Sequence, residues 1–249
     1  MTAQLRSELL KQRTTPTNRL LLAWLAGLVL LVVALHVVSF SNSTLAQEAN
    51  QMKILGLGTS VGALFGSLLG AMSITGELRS GTIRPTFLVT PRRGRVIAAK
   101  VLASMAAGAG LGLLAEALTV GAEAAGLAAR GVPIELAASD YAQLLAGGAL
   151  GAALFAAIGV GIGTAVRNQV AALVGLCVWL LFVEPLLLAD APSAARYAPE
   201  ASAGAIAGAI QSQIADSLIA PALGAVLLAA YAALIAGAGA LLVARRDVD

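Results

Sequence analysis

The chain has 249 residues, of which 59% are hydrophobic and only 12% charged, and its mean hydropathy is +0.88. A soluble domain carries about 25% charged residues, so an ordinary soluble globular protein is excluded. The net charge of +3 comes from positive residues distributed to one side of the predicted spans rather than from a nucleic-acid-binding surface, and the single cysteine, Cys177, excludes a disulfide framework or a cysteine metal site.

The N-terminal segment, residues 1–19, places Leu5, Leu9 and Leu10 at helical spacing against Arg6, Glu8, Lys11 and Arg13, and Pro16 ends the pattern. This predicts a cytoplasmic helix lying in the membrane interface; the alternative is an irregular basic tail. Crossing a bilayer core takes about 20 predominantly apolar residues in a helix. Six stretches meet that length: residues 20–40, 54–75, 96–120, 143–166, 170–189 and 221–244. The first is too long, and too far from the start, for a cleaved signal segment. The predicted fold is therefore an all-α membrane protein, one six-helix domain over residues 20–244 with a cytoplasmic tail at 245–249.

Positive residues orient the spans, because Lys and Arg near span ends stay cytoplasmic. With the N-terminus inside, the inner connections hold Arg6, Lys11, Arg13, Arg19, Arg79, Arg84, Arg92, Arg93, Arg95, Lys100, Arg167, Arg245 and Arg246. The outer ones hold Lys53, Arg130 and Arg196. The expected location is the cytoplasmic membrane, with both termini inside. Residues 121–141 read as an outer loop. Residues 167–169 read as a tight turn between spans four and five. Residues 190–220 begin polar and then become small and apolar over residues 201–210, a segment too short to cross and suited to an outer re-entrant or interfacial helix.

Three features carry functional information. In span two, Gly58, Gly62, Gly66 and Gly70 recur every four residues, a stripe that lets helix backbones approach closely. It serves packing within one subunit, a subunit interface or a path wall. Glu116 in span three and Glu184 in span five lie about 21–24 Å from the inner ends of their spans. They face protein or water, as path carboxylates, or reach the outer interface. The third feature is the basic loop after span two. Thr82 is suited to capping a helix, Pro85 to its first turn, and Thr90-Pro91 to ending it, which predicts a helix over residues 83–89 with Ile83 and Phe87 on one face. Such a face invites a protein partner; the alternative is a basic loop on lipid.

Catalytic and nucleotide-binding constellations are not found. His36 is the only histidine, and no Lys is preceded by Gly, so no phosphate-binding P-loop is present. The loop GELRSGTIRPTFLVTPRRGRVIAAK resembles the Glu-x-x-x-Gly-Thr … Leu-x-x-x-Pro-x-x-Arg … Lys signature of type-2 ABC transporter permeases, at Glu77, Gly81, Thr82, Pro91, Arg95 and Lys100, with three residues instead of two between Pro91 and Arg95. The resemblance implies that the loop helix is a coupling helix docking on a separate cytosolic ATPase, which would bind ATP and magnesium. Glu77, Arg79, Gly81, Thr82, Ile83, Phe87, Pro91 and Arg95 would form the coupling region. It also implies pairing with a second copy or a sister permease, lipid contact, no cofactor in this chain and no nucleic acid. The alternative is an ion-coupled carrier that uses Glu116 or Glu184.

If the orientation is right, cysteines at Ser43 and Ser193 react with impermeant thiol reagents added to intact cells, and one at Ser80 does not. Labelling at Ser80 would reverse the topology.

Overall fold

A computed structural model of the protein describes residues 2–83, 85, 93–209 and 219–245. Every regular element among them is helical. Most of the loop helix expected at residues 83–89, including Phe87, lies outside the described residues, as does Pro91. In chain order the helices are α1 (Thr2–Thr14), α2 (Pro16–Ser39), α3 (Asn42–Leu45), α4 (Glu48–Ser80), α5 (Arg93–Ala129), α6 (Ala138–Val166), α7 (Gln169–Val178), α8 (Glu184–Asp190), α9 (Pro192–Ala195), α10 (Pro199–Ala207) and α11 (Pro221–Arg245). Six continuous helical stretches are long and apolar enough to cross a bilayer, which makes this a multi-pass membrane protein. The fifth joins α7 to α8 through one π-helical turn, Trp179–Val183.

α4 and α6 are the centre of the bundle. Burial covers 72% of the most apolar window in each, against 22% in α2, in the fifth span and in α11. α5 packs on both central helices, α2 and α1 pack on α5, and α11 packs on α6. The peripheral helices present large apolar side chains outward, such as Trp24, Val38, Phe182 and Leu234, as expected where lipid is the solvent.

Apolar side chains gain nothing from leaving lipid for a helix surface, so contact depends on close packing. The glycine stripe of α4 supplies it. A Cβ on Gly66 would sit 2.5 Å from the carbonyl oxygen of Ala152 on α6, and one on Gly62 would sit 3.2 Å from Cα of Gly112 on α5. One on Gly70 would collide with the Ala156 carbonyl, and α6 answers with Gly159 against the backbone of Ser67. Leu64, away from the stripe, is buried as well, because α4 is covered on nearly every side.

The third span differs from the sequence reading. Residues 121–129, expected in an outer loop, continue α5 in helix. The chain turns only at Gly131, whose φ is +64°. Residues 42–45, which fall between the first two predicted spans, form α3, with the Ser41 hydroxyl accepting from the Thr44 amide. Gln51, fully buried, holds this end of the bundle together. Its side chain donates to the carbonyls of Leu45 and Pro133 and accepts from the Glu135 amide. α10 inserts here, buried from Ala201 to Ala207, against α4, α6 and α11.

Gly66→Leu is expected to lower stability by about 3 kcal/mol, an overpacking effect at a backbone contact. Gly27→Ala, where an added Cβ meets nothing within 4 Å, should be neutral or stabilising by up to about 1 kcal/mol. Thermal unfolding of both variants in detergent checks the difference.

Candidate functional site at the base of the second span

Four charges converge where α1 meets the ends of α4 and α5. Glu8 and Lys11 are three residues apart on α1, Glu77 is in the last turn of α4, and Lys100 is two turns into α5. Lys100 Nζ lies 2.7 Å from Glu8 Oε2 and 3.0 Å from Glu77 Oε1, and donates to the Ser73 carbonyl at 3.1 Å. Lys11 Nζ closes the ring at 2.7 Å from Glu8 Oε1 and 2.8 Å from Glu77 Oε1. The ring is neutral overall. Lys100 retains 1% of its exposure, a position in which an unpaired ammonium ion would cost several kcal/mol. Next to the ring, Gln12 donates to Ser104, which bonds Ser73. A polar cavity of about 470 Å³, lined in part by Ser73, Ser80, Thr82 and Gln169, opens beside it.

Burial works against the Glu8 carboxylate, but the Lys100 and Lys11 ammonium groups outweigh it and hold the Glu8 carboxyl below its ordinary value of 4.5. Burial also opposes the Lys11 charge, and the Glu77 and Glu8 carboxylates overcome it, raising Lys11 above 10.5. α1 is therefore tied to the bundle by buried charge. The sequence sets Glu8 with the charged residues of α1 and Leu10 with the apolar ones; in the structure Glu8 is the most buried described residue of the helix, while Leu10 is exposed.

This ring adjoins the start of the signature loop, where α4 ends. α4 ends at Gly81 in the left-handed conformation, φ +71°, which suits a residue without a Cβ. Ser80 and Thr82 share a hydrogen bond of 2.9 Å. The reversal carries Ile83 back onto Ile74 and Ile97, where it is buried. Ile83 was expected on a partner-facing surface; in this structure it anchors the loop instead. Arg79 and Arg95 are exposed beside it. Glu77, Gly81, Thr82, Ile83 and Lys100 thus come together, with Arg79 and Arg95 at the rim.

The two acids singled out within spans lie elsewhere, and both are fully buried. Glu116 accepts from Thr59 Oγ1 at 2.6 Å, and its other carboxylate oxygen has no partner among the described residues. Gly58 and Gly148 make room for it: a Cβ on Gly58 would lie 2.5 Å from Glu116 Oε2, and one on Gly148 would lie 2.5 Å from Glu116 Cγ. Glu184 has a different environment. Oε1 accepts the amides of Glu200 and Ala201, the first-turn donors of α10, and Oε2 accepts Trp179 Nε1–H at 3.0 Å. It caps α10 from another helix. Pro185 follows it, and the π turn before it sends the Glu184 amide to the Trp179 carbonyl.

Sequence reasoning passed over two buried acids. Glu123 was read as part of an outer loop, although Glu116, Thr119 and Glu123 repeat at helical spacing and all three are buried on α5. Glu8 carried no comparable signal, because its two lysine partners include one 92 residues away. A scan against protein-family models and a comparison with curated proteins each return no match.

Lys100→Met should destabilise the chain by about 3–5 kcal/mol, since it leaves buried Glu8 and partly buried Glu77 with one exposed base. The docking of α1 should also depend on pH at both extremes. The Glu8 contribution is complete above about pH 4.5 and lost as pH falls through its depressed value. The Lys11 contribution is complete below about pH 10.5 and lost as pH rises through its elevated value. Spin labels at the exposed positions Ser7 and Ala98 should report one distance across neutral pH and a broadened one at both limits.

Proposed function

We propose that this chain is the membrane subunit of an ATP-driven exporter. Two such subunits, or one with a sister permease, would line the path across the cytoplasmic membrane, both termini facing inward. A separate cytosolic ATPase would dock on the loop after the second span and carry the ATP and magnesium. The reading is supported by the signature residues Glu77, Gly81, Thr82, Arg95 and Lys100 gathering at one end of the bundle. The observation that carries it is the buried ion ring. Through Glu77 it ties the loop's base to α1 and α5, and Ile83 ties the loop's start to Ile74 and Ile97. A push on the loop would then move three helices together instead of bending a free loop. Arg79 and Arg95 remain exposed for an acidic rim on the ATPase.

A second reading, an ion-coupled carrier, is favoured by one observation: Glu116 is a buried acid with an unpartnered oxygen in a cradle of glycines. Glu184 supports it less, since its oxygens already hold three donors.

One experiment decides between them. Purified in mild detergent, the wild-type chain should bring down a soluble ATPase, and Arg79→Glu/Arg95→Glu should reduce its recovery about tenfold or more by charge reversal. Phe87→Ala should weaken the same association. No ATPase in any preparation, with gradient-driven uptake lost in Glu116→Gln, would replace the exporter by the carrier.

A further inference from the structure

The corner between α1 and α2 forms one wall of a groove beside the first span. Asn18 holds the corner by donating to the Gln12 carbonyl and to its side-chain oxygen, both at 2.8 Å. Arg13 and Arg19 line the groove from the two sides of this corner, both exposed and neither in an ion pair among the described residues. The groove runs from them between α2 and α5 and has a volume of about 560 Å³. Leu22 and Ala107 line it, and Leu69 and Leu111 are buried residues along it. Gly110 leaves it open: an added Cβ there would meet nothing within 4 Å.

We infer that this groove is a binding site for one anionic phospholipid, its phosphate held by Arg13 and Arg19 and one acyl chain lying along Leu22, Leu69 and Leu111. Charge complementarity identifies the occupant. Guanidinium groups match phosphate oxygens in a planar fork, and here two of them stand at the head of an apolar channel that borders the first span. A soluble anion would leave the channel empty. An acyl chain without a phosphate would leave both arginines unpaired. A zwitterionic lipid would bring an added cation close to them. A lipid seated here would contact α1, α2, α4 and α5 at once, so its occupancy would reinforce the attachment of α1. The inference rests on the six membrane spans and is independent of what drives transport.

The test titrates the delipidated full chain in detergent with dioleoylphosphatidylglycerol or dioleoylphosphatidylcholine and counts bound lipids by native mass spectrometry. The wild-type chain should retain one phosphatidylglycerol per chain in preference to phosphatidylcholine. Basic residues near an anionic lipid surface contribute about 1 kcal/mol each, so Arg13→Gln/Arg19→Gln should weaken phosphatidylglycerol binding about 25-fold. Gly110→Leu, at a position where an added Cβ meets nothing within 4 Å, puts a side chain into the groove and should displace the lipid while both arginines remain. Arg6→Gln removes an exposed charge of α1 that does not line the groove, and should leave binding unchanged. Equal retention of the two lipids would overturn the proposal. So would an Arg6→Gln effect as large as that of the double variant, which would mean diffuse surface charge, or displacement of the lipid by millimolar glycerol 3-phosphate, which would mean a free-phosphate site.

Discussion

The structure depends on the backbone contact between α4 and α6. In lipid there is little hydrophobic gain in bringing helices together, so association comes from close packing and a few polar contacts. Gly62, Gly66 and Gly70 on α4, with Gly159 on α6, remove the side chains that would hold the backbones apart. α5 enters the same contact at Gly108 and Gly112, both against residues of α6. A compact three-helix centre results, and the remaining spans pack around it with apolar side chains left for lipid.

A tightly packed centre also decides where polar groups are tolerated. Glu116 occupies space that Gly58 and Gly148 leave open, and its one donor among the described residues is Thr59 on α4. Gln51 and Glu184 organise the end of the bundle where α10 inserts, each by satisfying backbone groups that the turns and helix ends expose. At the opposite end, the ring of Glu8, Lys11, Glu77 and Lys100 fixes α1. The two ends therefore differ in kind. One is held by carboxylate and amide groups bonded to backbone, the other by side-chain charge. A charge ring transmits displacement between helices because moving Glu8 or Lys100 away leaves the other buried without its partner.

That difference bears on function. The end with the charge ring also carries the signature loop, the exposed arginines at positions 79 and 95, and the groove headed by Arg13 and Arg19. Membrane, loop and core thus meet at α1. The fifth span stands apart from this arrangement. Its π turn and Pro185 interrupt the regular ladder, and an apolar cavity of about 660 Å³ separates part of it from Phe155, Ile162, Tyr231 and Ile235. It is the span least integrated with the centre.

The sequence by itself determined the class, the six spans and the close-packing role available to the glycine stripe, because length, hydropathy and a four-residue spacing are local properties that survive any tertiary arrangement. It also singled out Glu77 and Lys100 as parts of one signature, and Glu116 and Glu184 as acids within spans, without deciding between burial and the outer interface. Only the tertiary structure decided what those residues touch. Ile83 turned inward because Gly81 reverses the chain over α4, an outcome that depends on Ile74 and Ile97 being in place. Glu8 became the buried centre of α1 because Lys100, 92 residues away, meets it there. Glu184 became a helix cap because α10 folds back on it. In each case the deciding partner is distant in the chain, and local spacing carries no information about contacts that form only when helices pack.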